Sequence, residues 1–167
     1  YTASDGNGGT DTATVDIAVG AVNDVPVAVD GSDGVAEDGA ALSVDLRGLV
    51  SDTETADAGL TYTIVAGPAP AAGALSATAT NGVFSFVPAA DFNGSASFTY
   101  RVTDRGDPDG CAPGPGCSAA LTSAVRTFTI TVSAVNDPPV VVAAPASLAL
   151  LEDGPTASVQ IDGVAVE

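Results

Sequence analysis

One hexapeptide occurs twice in nearly the same form. Ala21-Val22-Asn23-Asp24-Val25-Pro26 returns as Ala134-Val135-Asn136-Asp137-Pro138-Pro139, 134 − 21 = 113 residues later. Each copy follows an alternating apolar run and precedes an extended one. A recurrence at one domain length restricts the chain to an array in which each unit buries its own core and the hexapeptide joins neighbouring units. A unit of 113 residues can bury such a core, though a small one.

Within the unit the hydrophobic period is two. From Thr12 to Val19, Val15, Ile17 and Val19 fall on one face and Thr14, Asp16 and Ala18 on the other, the pattern of a strand half buried in a sheet. It returns at Leu60, Tyr62 and Ile64, at Phe84 and Phe86, at Phe98, Tyr100 and Val102, and at Phe128, Ile130 and Val132. Threonine fills many of the intervening positions, where β-branching suits a pleated surface. No stretch carries a sustained helical stripe. Between the joints the pattern predicts seven strands, near residues 26–29, 41–46, 60–65, 74–79, 82–87, 95–103 and 125–133. The fold class is all-β, an immunoglobulin-like or cadherin-like Greek-key β-sandwich in tandem repeats. The antibody signature of a buried Trp and an inter-sheet disulfide is missing.

The flanks echo the unit. Tyr1-Thr2-Ala3-Ser4-Asp5-Gly6 loosely matches the stretch from Tyr100 to Gly106, and Leu151-Glu152-Asp153-Gly154 matches Ala36-Glu37-Asp38-Gly39. Residues 1–23 therefore read as the last two strands of a preceding module, 24–136 as a complete module and 137–167 as the first strands of a following one, a segment of a longer array. Tyr1 to Asn23 spans 22 positions and Tyr100 to Asn136 spans 36, a difference of 14. The extra length falls in the final hairpin, where the turn Asp5-Gly6-Asn7-Gly8-Gly9 becomes a long excursion at 107–118. An insertion of this kind lies on the surface. The acidic, Gly-rich run from Asp5 to Asp11 is a single copy and reads as a hairpin turn rather than a calcium repeat. Asn93-Gly94-Ser95 fits the glycosylation pattern, but so short a pattern reads equally as a turn.

Charge excludes whole classes of partner. The chain has 21 acidic residues and 4 basic ones, all Arg, for a net charge of −17. Nucleic acid and anionic membrane both require basic patches, and the longest apolar run, 138–151, is proline-broken and too short to span a bilayer. We therefore expect no nucleic acid and no membrane insertion. With no His, no Lys and two Cys, only carboxylate pairs could perform acid–base chemistry, and they are better read as metal ligands or solvated surface. The chain does not read as an enzyme.

Cys111 and Cys117 share one Gly/Pro-rich loop and lack the further Cys or His that zinc requires. They read as a local disulfide, which points to an extracellular or cell-surface setting. Closing so short a loop contributes about 2 kcal/mol, enough to pin the loop but not to hold the fold.

The series Glu37-Asp38-Gly39, Phe84-Ser85-Phe86-Val87-Pro88, Asp91-Phe92-Asn93-Gly94-Ser95-Ala96-Ser97-Phe98-Thr99-Tyr100 and Val135-Asn136-Asp137-Pro138-Pro139 resembles, in order, the bacterial cadherin-like tandem repeats of large extracellular surface proteins. The resemblance covers essentially the whole chain. It implies an extracellular array with adhesive or structural roles, and Ca2+ between consecutive domains. On that pattern Glu37 and Asp91 point toward the second joint, Asn136-Asp137. Asp52, Glu54 and Asp57 face the first joint, Asn23-Asp24, and Asp104 faces it from the final hairpin. The sequence departs from the cadherin linker at Ala21 and Val25, and at Ala134 and Pro138, where acidic or amide residues stand in cadherins. Asn93 occupies roughly the place of a Glu.

A physical argument stands beside the resemblance. Calcium takes six to eight oxygen ligands, and carboxylates crowded at about 4–5 Å repel one another unless a cation lies between them. The competing reading needs no metal, because Pro26, Pro138 and Pro139 already restrict the linkers. If metal binds, the first joint is expected to be better occupied. The functional reading is a structural or adhesive segment of an extracellular fibre, stalk or adhesin. Its partners are neighbouring repeats of the same polypeptide or other copies in a fibre, with a surface receptor or glycan as the adhesion target. The alternative is an extracellular ligand- or carbohydrate-binding module using the stapled loop, although 5% aromatic content leaves few platforms for sugar.

Overall fold

A computed structural model describes residues 1–141, except Ala18, Ala21, Pro113 and Pro139, together with the pair Val164–Ala165. In chain order the strands are β1 (Thr2–Ser4), β2 (Thr10–Thr12), β3 (Val27–Ala28), β4 (Gly31–Ala36), β5 (Leu42–Asp45), β6 (Val50–Ser51), β7 (Thr61–Ala66), β8 (Gly73–Ala77), β9 (Val83–Pro88), β10 (Gly94–Thr103), β11 (Arg126–Ser133), β12 (Val140–Val141) and β13 (Val164–Ala165). A 3-10 turn, Arg47–Leu49, separates β5 from β6. No helix among the described residues is long and apolar enough to cross a membrane.

The protein is an all-β sandwich. One sheet runs β4-β11-β10-β7, and the facing layer consists of β5-β9-β8 and the short pair β3-β6. All pairings are antiparallel except β4 with β11. Alternation explains the packing. Along β10, Ala96, Phe98, Tyr100 and Val102 point inward, and along β11 Phe128, Ile130 and Val132 do the same. Phe98 lies directly opposite Phe128, with rings stacked at 5.3 Å, a cross-strand pair of the kind that stabilises sheets. Val44, Leu46 and Phe86 close the core from the other layer, and Leu60, just before β7, joins them.

The seven expected strands are present, and the structure adds β4 and β6, which lie outside the expected ranges. The first strand breaks after Val27–Ala28 and crosses to the other sheet as β4. Gly31-Ser32-Asp33-Gly34 carries no apolar alternation, so nothing in its pattern marks a strand. Its ladder comes from the parallel edge of β11. At Gly31 a side chain would collide with Leu49 and Phe128, so the crossing needs glycine. The crossing is pinned by the Tyr100 hydroxyl, which donates to Val29 O at 2.6 Å, and by Arg126 Nε, which donates to Ala28 O at 2.8 Å.

The flanks differ from expectation. Thr2–Ser4 and Thr10–Thr12 form an isolated hairpin, closed by Asp5 Oδ1, which accepts the Asn7 and Gly9 N–H groups at 2.9 Å. The predicted strand from Thr12 to Val19 does not form among its described residues beyond Thr12. Val15, Ile17 and Val19 are exposed rather than half buried, because a two-stranded hairpin offers no second layer to cover them. Toward the other end Val140–Val141 pairs with Val164–Ala165. The Leu151-Glu152-Asp153-Gly154 echo lies outside the described residues.

Candidate metal centres at the two joints

Strand β10 places the joints. Asp91 and Asn93 immediately precede it and Asp104 immediately follows it. A ten-residue strand is about 33 Å long, so the two groups of ligand-type side chains lie at opposite ends of the sandwich.

At the first joint Asn23 is 9% exposed. Its Nδ2 donates to Asp104 Oδ2 and to Ala119 O, each at 3.0 Å. Asp104, 3% exposed, uses Oδ1 to accept the N–H groups of Gly106 and Leu121 at 2.9 Å. Asp24 N–H donates to Glu54 Oε2 at 3.3 Å. Asp52 Oδ2 caps its own loop, accepting from Glu54 N at 3.3 Å and Thr55 N at 2.8 Å. Two oxygens in this set are buried with no partner: Asn23 Oδ1 and Asp52 Oδ1. A buried acceptor left without a donor costs about 1–3 kcal/mol, and an oxygen-seeking cation is one species that could satisfy such an atom. Among the described residues, however, the converging carboxylates lie at the second joint and not at the first, where they were expected.

Of the residues expected at this joint, Asn23 and Asp104 form one hydrogen-bonded pair, and Asp24, through its backbone N–H, Glu54 and Asp52 form a second set. Asp57 lies elsewhere. Its carbonyl accepts the Tyr62 hydroxyl at 3.1 Å, and it lines a surface cleft with Asp45 and Arg47. In that neighbourhood Arg47 holds the Asp45 carboxyl down at about 2, and burial pushes the Tyr62 phenol up to about 12. The turn 57–60 folds toward β7 instead of the linker, held by Gly59 N–H on Ala56 O at 2.7 Å.

At the second joint the parallel β4–β11 ladder continues through Glu37 N–H, which donates to Ser133 O at 2.9 Å. This sets Glu37 beside the point where the chain leaves the sandwich. Its side chain, 4% exposed as a residue, accepts Val135 N–H at 2.7 Å and Asn93 Nδ2–H at 3.3 Å. A cleft of about 300 Å3 is lined by Glu37, Asp91, Asn93 and the 134–137 linker. Asp38, Asp91 and Asp137 bring one carboxylate oxygen each to within 4.8 Å of one another. At that separation like charges repel by about 1 kcal/mol per pair in water and by about 3 at an effective dielectric near 20. Glu37, Asp91, Asn136 and Asp137 thus share one site. Asn136 Nδ2 turns to the Asp137 carbonyl at 3.3 Å.

Asp38 is the residue that sequence reasoning missed. It follows Glu37 directly, and the choice of Glu37 as ligand concealed it. Asp38 and Asp91 both adopt left-handed backbone, with φ of 55° and 57°, a region that Asp tolerates better than most residues. An Asp-Gly step between two expected strands was the available signal. The expected Cys111–Cys117 disulfide is present, with Cα atoms 5.9 Å apart. Its loop bridges at Asp107 and Ser118.

The family profile of the bacterial cadherin-like domain matches residues 23–113, more than half of the chain. The matched span runs from Asn23 of the first joint into the disulfide loop and includes the Asp38 and Asp91 turns. No match was found among curated proteins or among solved structures. The chain belongs to the bacterial cadherin-like domain family.

Proposed function

We propose that this chain is a structural or adhesive segment of an extracellular repeat array whose joints are stiffened by calcium. Family membership supports the adhesive or structural role and a non-enzymatic one. The observation that carries the calcium reading is the convergence of the Asp38, Asp91 and Asp137 carboxylates to within 4.8 Å of one another at the second joint. The buried Asn23 Oδ1 and Asp52 Oδ1, which have no protein donor, add to it at the first. Residues that would hold the ion there are Asn23, Asp24, Asp52, Glu54 and Asp104. At the second joint they are Glu37, Asp38, Asp91, Asn136 and Asp137. A bound ion supplies positive charge between carboxylates that otherwise repel, and so locks a linker to the end of a sandwich.

We read the domain organisation as a complete module at 24–136 between the ends of two others, at 1–23 and 137–167. The repeat offset supports this. Shifting Asn23 onto Asn136 sets Val15, Ile17 and Val19 against Phe128, Ile130 and Val132, which are all core residues of β11. The partners are then neighbouring repeats or further copies in a fibre. The disulfide supports an extracellular or cell-surface location.

Thermal unfolding with calcium and with chelator tests the reading. Each occupied site should raise stability by about 1.4 kcal/mol when free calcium is tenfold above its dissociation constant. An identical melting curve in both conditions, with the fold intact, would leave proline-stiffened spacers as the account of the joints.

A further inference from the structure

The loop between β10 and β11 has two legs, and each grips the first joint from a different side. On the outgoing leg Asp109 Oδ1 accepts the Thr55 hydroxyl at 3.0 Å, and Asp109 Oδ2 pairs with Arg105 at 3.2 Å. Thr55 is 1% exposed. It accepts Arg105 N–H at 3.2 Å through its hydroxyl, and its own N–H donates to Asp52 Oδ2 at 2.8 Å. On the returning leg Ala119 O accepts from Asn23 and Leu121 N–H donates to Asp104. Cys111 sits two residues after Asp109, and Cys117 two residues before Ala119. The disulfide therefore closes a ring from Asn23 through Ala119, the cystine, Asp109, Thr55 and Asp52 to Glu54, which accepts Asp24 N–H.

At its base the ring is also held by Asp104, which meets Asn23, Gly106 and Leu121, and by Arg105 N–H on Thr55, but its outer part has no apolar anchor. None of the described residues from 107 to 120 is buried, so no apolar anchor fixes the loop against a core. Segments with few buried contacts open at low cost. Gly106 brings the legs close, since a side chain there would collide with Ser118 O. Beyond that point the legs are tied by the reciprocal Asp107–Ser118 hydrogen bonds, at 3.2 and 2.8 Å, and by the covalent bond.

We infer that the Cys111–Cys117 loop is a covalent clamp that holds the oxygen donors of the first joint in place. Reduction then loosens the joint. A dithiol reductant passes two electrons and two protons to the bridge, leaving two cysteine thiols and the cyclic disulfide of the reductant. The legs separate, and Asp109 and Ala119 no longer fix Thr55 and Asn23 relative to each other. The consequence for a cation rests on the calcium reading proposed above, whereas the clamp itself does not. A pre-organised donor set binds more tightly than one that must be ordered. Reduction should therefore weaken calcium binding at the first joint by about five- to tenfold. The second joint, at the far end of β10, serves as an internal reference. By reciprocity calcium should make the bridge harder to reduce by the same factor, and tenfold corresponds to about 30 mV for this two-electron couple.

The test uses the full chain, oxidised and reduced, together with the double variant Cys111→Ser/Cys117→Ser. The variant Asp109→Ala keeps the disulfide but cuts the grip on Thr55. In chelator, amide hydrogen exchange at Gly106 and Leu121 should accelerate on reduction and in both variants, while exchange in β9 and β10 stays unchanged. Calcium titration should then show the five- to tenfold loss at the first joint alone. Unchanged exchange at Gly106 and Leu121 on reduction overturns the clamp, whatever calcium does. Faster exchange on reduction, in a chain that binds no calcium even when oxidised, supports the clamp and removes the calcium reading instead.

Discussion

Asn23 Nδ2 and Asp104 Oδ2 meet at 3.0 Å across 81 residues of sequence, and both side chains are almost wholly buried. This contact locks the linker onto the end of the sandwich without any help from proline. Replacing Asn23 with Ala removes two hydrogen bonds and leaves Asp104 Oδ2 short of a donor. The loss should lower stability by about 1–3 kcal/mol, measured by urea unfolding in chelator. Calcium should also stabilise the variant less than the parent.

Asp38 should act with opposite sign in the two ionic conditions. Without calcium, Asp38→Asn relieves like-charge repulsion from Asp91 and Asp137. It should then raise stability by about 0.5–1 kcal/mol, the modest figure appropriate to an exposed site. With calcium present the same substitution removes a ligand and should weaken binding at the second joint. Paired denaturant curves check the reversal. A substitution that is neutral in both conditions would remove Asp38 from the site.

Alkaline stability should depend on Tyr100. Burial pushes its phenol up to about 12, above the ordinary value near 10, so between these values the folded chain keeps a proton that the unfolded chain has released. The stabilisation from the protonated phenol, which donates to Val29 O, is complete below about pH 10 and is lost as pH rises through about 12. Tyr100→Phe should cost about 1 kcal/mol at neutral pH. The variant should also lose less stability than the parent between pH 10 and 12, read by circular dichroism.

Two isoleucines at the centres of similar alternating apolar runs should respond differently. Ile130 is fully buried and Ile17 is 82% exposed. Ile130→Thr removes methyl packing and buries a hydroxyl, for a loss of about 2–4 kcal/mol. Ile17→Thr should change the stability of this chain by less than about 0.5 kcal/mol. Chemical denaturation of both variants, followed by tyrosine fluorescence, reads the contrast.

These isoleucines also separate what pattern can tell from what it cannot. Alternation gives Ile17 and Ile130 the same reading, and for Ile130 it is right because β4 and β10 flank β11 and a second layer covers it. For Ile17 the described chain holds no second layer to cover it, since β1 and β2 stand alone in it. The strand β4 shows the reverse case. Its pattern is silent, yet it is ordered by the parallel edge of β11 and brings Glu37 to the second joint.

The candidate sites divide in the same way. Glu37, Asp91, Asn136 and Asp137 were legible because short motifs carry them in order, and the structure gathers them around one cleft. Asp38 was hidden beside a more obvious Glu. Asp57 was assigned by its place in a loop that turns out to fold against Tyr62.

By itself, the sequence determined the sandwich class, most strands of the core and the local disulfide. Each of these depends on neighbours close in sequence or on a two-residue period that any half-buried sheet imposes. Tertiary structure decided which acidic residues meet, which alternating run is buried, and that the disulfide loop closes onto Asn23 and Thr55. Those outcomes depend on contacts between residues up to 98 positions apart, such as Glu37 with Val135. Chain closure alone brings such groups together, so no local pattern records them.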